Sequence, residues 1–168
     1  MSDRYRGTIE FPASALEIEE IRKEVIKEGV YFDHDGPQAQ FDNEVQINDG
    51  VFFLTVGAAR YGQFELMETA LKENGIPFDR DSEAFYDMTP ERVIYRPEKD
   101  GSPEQELTFQ LMDDEPVVSV AALREIMYPS SLSPGEILTG GYALAALESY
   151  LNEHFPAYPP LTDWVKEG

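Results

Sequence analysis

Lys27-Glu28-Gly29-Val30-Tyr31-Phe32-Asp33-His34-Asp35 sets against Lys72-Glu73-Asn74-Gly75-Ile76-Pro77-Phe78-Asp79-Arg80-Asp81. In both stretches a charged helix end runs through a glycine into a short apolar segment and then into alternating charges. With Gly29 on Gly75 the offset is 46 residues, and it carries Ile18 onto Phe64, Ile21 onto Met67 and Val25 onto Leu71. The two stretches therefore predict two copies of a strand–helix–strand–strand unit, and an internal repeat of this kind sets the architecture.

Around the first stretch, Tyr5, Ile9 and Phe11 alternate in Tyr5–Phe11 and predict a half-buried strand ended by Pro12. Ser14-Ala15-Leu16-Glu17 has the form of a capping box. Ile18, Ile21 and Val25 then make the apolar stripe of a helix stopped by Gly29. Val30–Asp33 reads as a strand, Asp33–Pro37 as a turn and Glu44–Ile47 as a further strand. Asn48-Asp49-Gly50 supplies hairpin-turn chemistry. Val51–Val56 is a continuous β-rich run, expected to be a central strand covered on both sides.

Outward from the second stretch, Phe64, Met67 and Leu71 carry a helix closing at Asn74-Gly75. Glu91–Tyr95 and Glu106–Met112 predict a hairpin. Helices are expected through 119–127 and from a second capping box, Ser133-Pro134-Gly135-Glu136, to about Phe155. The Pro-rich, aromatic end with Tyr158 and the sole tryptophan, Trp164, is expected to pack back on the body or on a partner. The reading is one α+β domain over 1–168. Two pseudo-repeated β-α-β-β units, about 4–50 and 51–112, form a mostly antiparallel sheet covered by helices, and a C-terminal helical pair within 113–168 completes the core.

The chain has 168 residues, within the ~100–200 typical of one domain. Its 33 acidic and 13 basic residues give a net charge of −20. That charge repels nucleic acid and anionic membranes, so direct binding to either is not expected. No run approaches the ~18 apolar residues of a membrane span. No apolar stretch follows Met1-Ser2-Asp3-Arg4-Tyr5-Arg6, so a secretory leader is not expected and the expected location is cytoplasmic. Without cysteine there is no thiolate chemistry and no disulfide. Glu (21) outnumbers Asp (12) and the apolar residues stay large, which speaks against a high-salt origin for the charge.

Catalytic patterns are missing. His34 and His154 are the only histidines, and no Gly-x-Ser-x-Gly elbow accompanies them. Gly140-Gly141 opens no phosphate loop, and reads as a close helix-packing face. Asp33 and Asp35, matched by Asp79 and Asp81, are weak candidates for a hard cation, since alternate carboxylates on an extended segment point one way, about 7 Å apart. Arg80 between the second pair opposes a cation, and solvated turn residues are the simpler account. No cofactor is implied. The expected function is a non-enzymatic binding or regulatory domain that engages a basic protein, in its sharpest form a nucleic-acid mimic that inhibits a nucleic-acid-binding protein. Weak candidates for that contact are Phe85, Tyr86, Asp113, Asp114, Glu115 and Tyr158. The alternative is a small-molecule or metal-binding domain with a pocket between the sheet and the C-terminal helices, lined by Met127 and Tyr142. Monomer and homodimer both remain open, because strand edges can pair.

Overall fold

A computed structural model describes residues 4–84, 89–99, 103–112, 115–118, 120–127 and 140–164. Among the described residues nine strands alternate with four α-helices: β1 (Arg4–Pro12), α1 (Glu19–Lys27), β2 (Val30–Asp33), β3 (Gly36–Ala39), β4 (Glu44–Asn48), β5 (Val51–Arg60), α2 (Glu65–Glu73), β6 (Phe78–Ser82), β7 (Glu91–Arg96), β8 (Gln105–Met112), β9 (Glu115–Pro116), α3 (Val120–Met127) and α4 (Gly140–His154). Seven strands form one sheet in the order β4-β5-β1-β6-β7-β8-β9, with every neighbouring pair antiparallel. β2 and β3 form a separate two-stranded hairpin.

Directly paired residues of an antiparallel sheet share a face, so the register sorts the side chains. One face presents Phe52, Leu54, Ile9, Phe11, Phe78, Val93 and Tyr95, and against it pack Ile21 and Val25 of α1 and Met67 and Leu71 of α2. Phe52, Phe11, Ile9 and Leu54 are fully buried there. Burying a large apolar side chain contributes about 1.5–3 kcal/mol, which makes this face the main source of stability. The opposite face carries Thr8, Glu10, Phe53, Thr55, Asp79, Asp81, Arg92 and Arg96, with a second, smaller core of Ile94, Phe109 and Leu111.

The two α-helices match the sequence offset at both ends, 19 to 65 and 27 to 73. Each ends on a glycine with positive φ, Gly29 at 86° and Gly75 at 63°, a conformation that glycine adopts at no steric cost. The strands that follow differ. β2 leaves the large sheet to pair with β3, whereas β6 lies inside it between β1 and β7.

Two local expectations are corrected and one is met. Ser14 forms no helix cap: residues Ala13–Glu17 make a 3-10 helix that buries Ala15, and α1 begins beyond it with Ile18 at its N-cap and no side-chain cap bond. Glu19 and Glu20 meet the N-terminal end of α1 instead, where negative charge is favourable. β5 is interior to the sheet but only half covered on its second face, where Phe53 and Thr55 remain partly exposed. The Asn48–Gly50 hairpin forms as expected, with Asp49 and Gly50 both at positive φ (50° and 76°).

Of the C-terminal helices, α3 and α4 touch each other. Among their described side chains Val120, Leu123, Leu144 and Leu151 are exposed, and Phe155, just past α4, is the one that reaches the second core. The capping box at Ser133–Glu136 lies outside the described residues. No described helix is long and apolar enough to cross a membrane.

Candidate functional site

The alternation of β1 that buries Ile9 and Phe11 turns Glu10 to the other face, and the register sets Glu10 opposite Asp79 and Thr8 opposite Asp81. The expected alternate carboxylates of Asp79 and Asp81 therefore do share one side, on a strand rather than in a turn. β7 then brings two arginines to them. Arg92 makes a bidentate pair with Asp81, Nε and Nη2 each 2.7 Å from a carboxylate oxygen. Arg96 makes a second fork on Asp79, with Nη1 at 2.6 Å and Nη2 at 3.3 Å. Bidentate guanidinium–carboxylate pairs are the strong, geometrically specific kind. Both aspartates are thus engaged by guanidinium groups.

Arg96 is held from all sides. Its Nη1 also donates to the carbonyls of Phe78 (3.1 Å) and Tyr95 (2.9 Å), and its Nε donates to the Pro159 carbonyl (2.7 Å). The ring of Tyr158, a candidate contact residue, lies 5.3 Å from the guanidinium of Arg96. Bonding to Asp81 raises the pKa of Arg92, and that guanidinium stays charged.

Glu10 is the remaining carboxylate. Burial first, then the charges of Asp79 and Asp81, raise its pKa to about 7, with Arg92 pulling the other way. Glu10 thus holds more protons folded than unfolded between its ordinary value of 4.5 and about 7. Its contribution to stability is full below that window and is lost as pH rises through it. With allowance for partial exposure, Glu10→Gln is expected to gain about 1–2 kcal/mol at pH 8 and close to nothing at pH 4. Urea unfolding at the two pH values checks this, and an equal effect at both would sink it.

Asp33 and Asp35 sit elsewhere. They belong to the tight turn of the β2–β3 hairpin, where the Asp35 amide donates to Asp33 Oδ1 at 2.9 Å. Together with His34 their ligand atoms lie within 4.8 Å of one another, all exposed. The segment is the turn expected over Asp33–Pro37, where Gly36 (φ 115°) lets the chain reverse and the three side chains come close. Local hydrogen bonding of this sort is ordinary turn chemistry.

Phe85, Tyr86, Asp113 and Asp114 lie outside the described residues, as do the side chains of Glu115, Met127, Tyr142 and His154. Sequence reasoning assigned Glu10, Arg92 and Arg96 to no site, although Arg92, Arg96 and Lys99 stand out in the chain as a basic cluster among carboxylates. The signal was present in the alternation, because a charged residue between two buried ones must occupy the opposite face.

Two open grooves meet near the start of β1. One of about 420 Å³ is lined by Gly29, Phe41 and Gly57, and one of about 600 Å³ by Arg60, Tyr61 and Leu66, and both share Arg4, Lys27 and Glu28. The strand edge beside them is closed off. Gly57 N–H donates to Asn43 Oδ1, Arg4 donates to the Ala58 carbonyl, and the Ala59 and Arg60 carbonyls accept from Gly62 and Gln63. Such capping discourages strand addition. No protein-family model matches the chain, and no curated protein or solved structure matches it either.

Proposed function

We propose that this chain is a non-enzymatic binding or regulatory domain whose acidic surface engages a basic protein partner, with imitation of nucleic acid as the sharpest form of that role. The supporting observation is where the few cations go. Arg80, Arg92 and Arg96 are engaged within the sheet by Glu91, Asp81 and Asp79. Arg6, Lys23, Lys27 and Lys72 pair with Glu44 and Glu83, Glu19, Glu24 and Glu106. Among the described residues, negative charge is carried outward by exposed groups such as Glu17, Glu20, Asp42, Asp49, Glu65 and Glu73. A surface of one sign steers an oppositely charged partner and makes the encounter salt-dependent.

Among the described residues, the filled main core and the openness of the grooves near β1 favour a surface over a ligand pocket. The matching helix offsets support an ancestral duplication whose second copy kept its strands in the sheet.

The test is capture at low salt from lysate of the host on the tagged full chain, eluted with rising salt. A basic protein leaving over a narrow salt window is expected, with affinity falling steeply as salt increases. If duplex DNA competes for that protein, the mimic form stands. If nothing specific elutes, the charge serves solubility only, and the alternative of a small-molecule or metal-binding domain takes precedence.

A further inference from the structure

Beyond the end of α4 the chain runs as a strap along the sheet face that carries Glu10. Phe155 stacks on Phe109 with ring centroids 5.3 Å apart. Tyr158 and the Pro159 carbonyl engage Arg96. Leu161 is buried, and the 3-10 helix Leu161–Trp164 packs against β1. Lys99 closes the far end, donating to the Asp163 carbonyl at 3.0 Å and lying 4.1 Å over the Trp164 ring. Arg96 therefore links two things: it anchors the strap, and it is itself anchored by Asp79, the residue paired with Glu10.

We propose that Glu10 and this strap form a proton-controlled latch, closed while Glu10 carries its proton and loosened when it ionises. Charge balance sets the direction. On β6, Asp79 and Asp81 face Glu10, and on β7, Arg92 and Arg96 neutralise them one for one. β5 contributes only Phe53 and Thr55, and β1 itself adds Thr8. Farther along, Arg6 is shared between Glu44 of β4 and Glu83, and the strap brings Tyr158 and Asp163. The group of Glu10, two aspartates and two arginines is neutral with Glu10 protonated and carries one net negative charge with it ionised.

A neutral cluster can lie beside a strap of proline and aromatic residues at little cost, whereas an uncompensated half-buried charge favours any opening that lets water in. The route from proton to strap is short: Glu10 to Asp79, Asp79 to Arg96, Arg96 to Tyr158 and Pro159. The raised pKa of Glu10 places the transition near neutral pH.

The chain's single tryptophan sits on the strap, so it reports the latch directly. Acrylamide quenching of Trp164 in the full chain is measured from acid to alkaline pH. The quenching constant is expected to rise roughly two-fold with a midpoint near pH 7, as the open population grows. In Glu10→Gln it is expected to stay low throughout, which separates Glu10 from His34 and His154, both intact in that variant. In Arg96→Lys, which keeps the charge but loses the fork, it is expected to be high at every pH. A wild-type chain with no pH response overturns the proposal, and so does a Glu10→Gln variant that titrates like wild type.

Discussion

Replacing Arg96 with alanine is expected to remove about 3–5 kcal/mol of stability, a large share of the ~5–15 kcal/mol of an ordinary domain. Arg96 is 2% exposed, and its guanidinium makes five hydrogen bonds to Asp79, Phe78, Tyr95 and Pro159. Its removal leaves the Asp79 carboxylate unpaired beside Glu10, and deprives three backbone carbonyls of a donor. Unmet buried partners, more than the lost attraction, make such deletions costly. Lysine at this position restores the charge but lacks the planar fork, so about half of the loss is expected to remain. Urea denaturation near pH 6 measures both. An alanine variant within about 1 kcal/mol of wild type would show that the strap and β6 do not depend on this residue.

Arg80 makes the second large case, and its outcome differs. It is 3% exposed on the helix-covered face, between Ile9 and Val93 of the neighbouring strands. Its Nη2 meets Glu91 at 2.5 Å, and its Nε lies 3.1 Å from Glu68, which also accepts the Phe64 amide at the start of α2. Nε and Nη1 make no hydrogen bond, so the buried charge is incompletely compensated. Arg80→Ala is expected to cost about 3–5 kcal/mol, because two half-buried glutamates lose their cation. The triple variant Arg80→Met, Glu68→Gln, Glu91→Gln is expected to recover to within about 1–2 kcal/mol of wild type. An apolar side chain of similar reach suits this site, and the side-chain oxygen of a glutamine in place of Glu68 still accepts the Phe64 amide. Chemical denaturation of both variants decides it, and a triple variant as unstable as the single one would mean that the cluster is worth more than its burial suggests.

Much of the architecture was legible along the chain. The stripe Ile21 and Val25, its counterpart Met67 and Leu71, and the alternation of Ile9 and Phe11 are local patterns, and each of these residues is buried on the expected side. Gly29, Gly75 and the Asp49-Gly50 turn were readable because positive φ selects few residue types. The helix start after Pro12 was misread. A capping pattern competes with burial of Ala15, and burial prevailed through a 3-10 turn.

The candidate site was half visible. Asp79 and Asp81 stood out as a pair of like-pointing carboxylates, but so did Asp33 and Asp35, and the one local difference, Arg80 between the second pair, turns to the opposite face of the sheet beside Ile9. The difference lies in pairing partners. β6 is enclosed by β1 and β7, whose register delivers Glu10 on one side and Arg92 and Arg96 on the other. The β2–β3 hairpin stands in a sheet of its own and leaves its acids in water.

Strand periodicity told which way each side chain faces, for that follows from backbone geometry within a few residues. Which strands become neighbours is set by long-range pairing and burial, and a one-residue slip of register would have placed different side chains opposite Glu10. The charge excess, the two helices and the alternating strands thus belong to the sequence. The neutralised aspartates, the raised pKa of Glu10 and the strap anchored on Arg96 exist only because folding sets residues some 60 to 70 positions apart side by side.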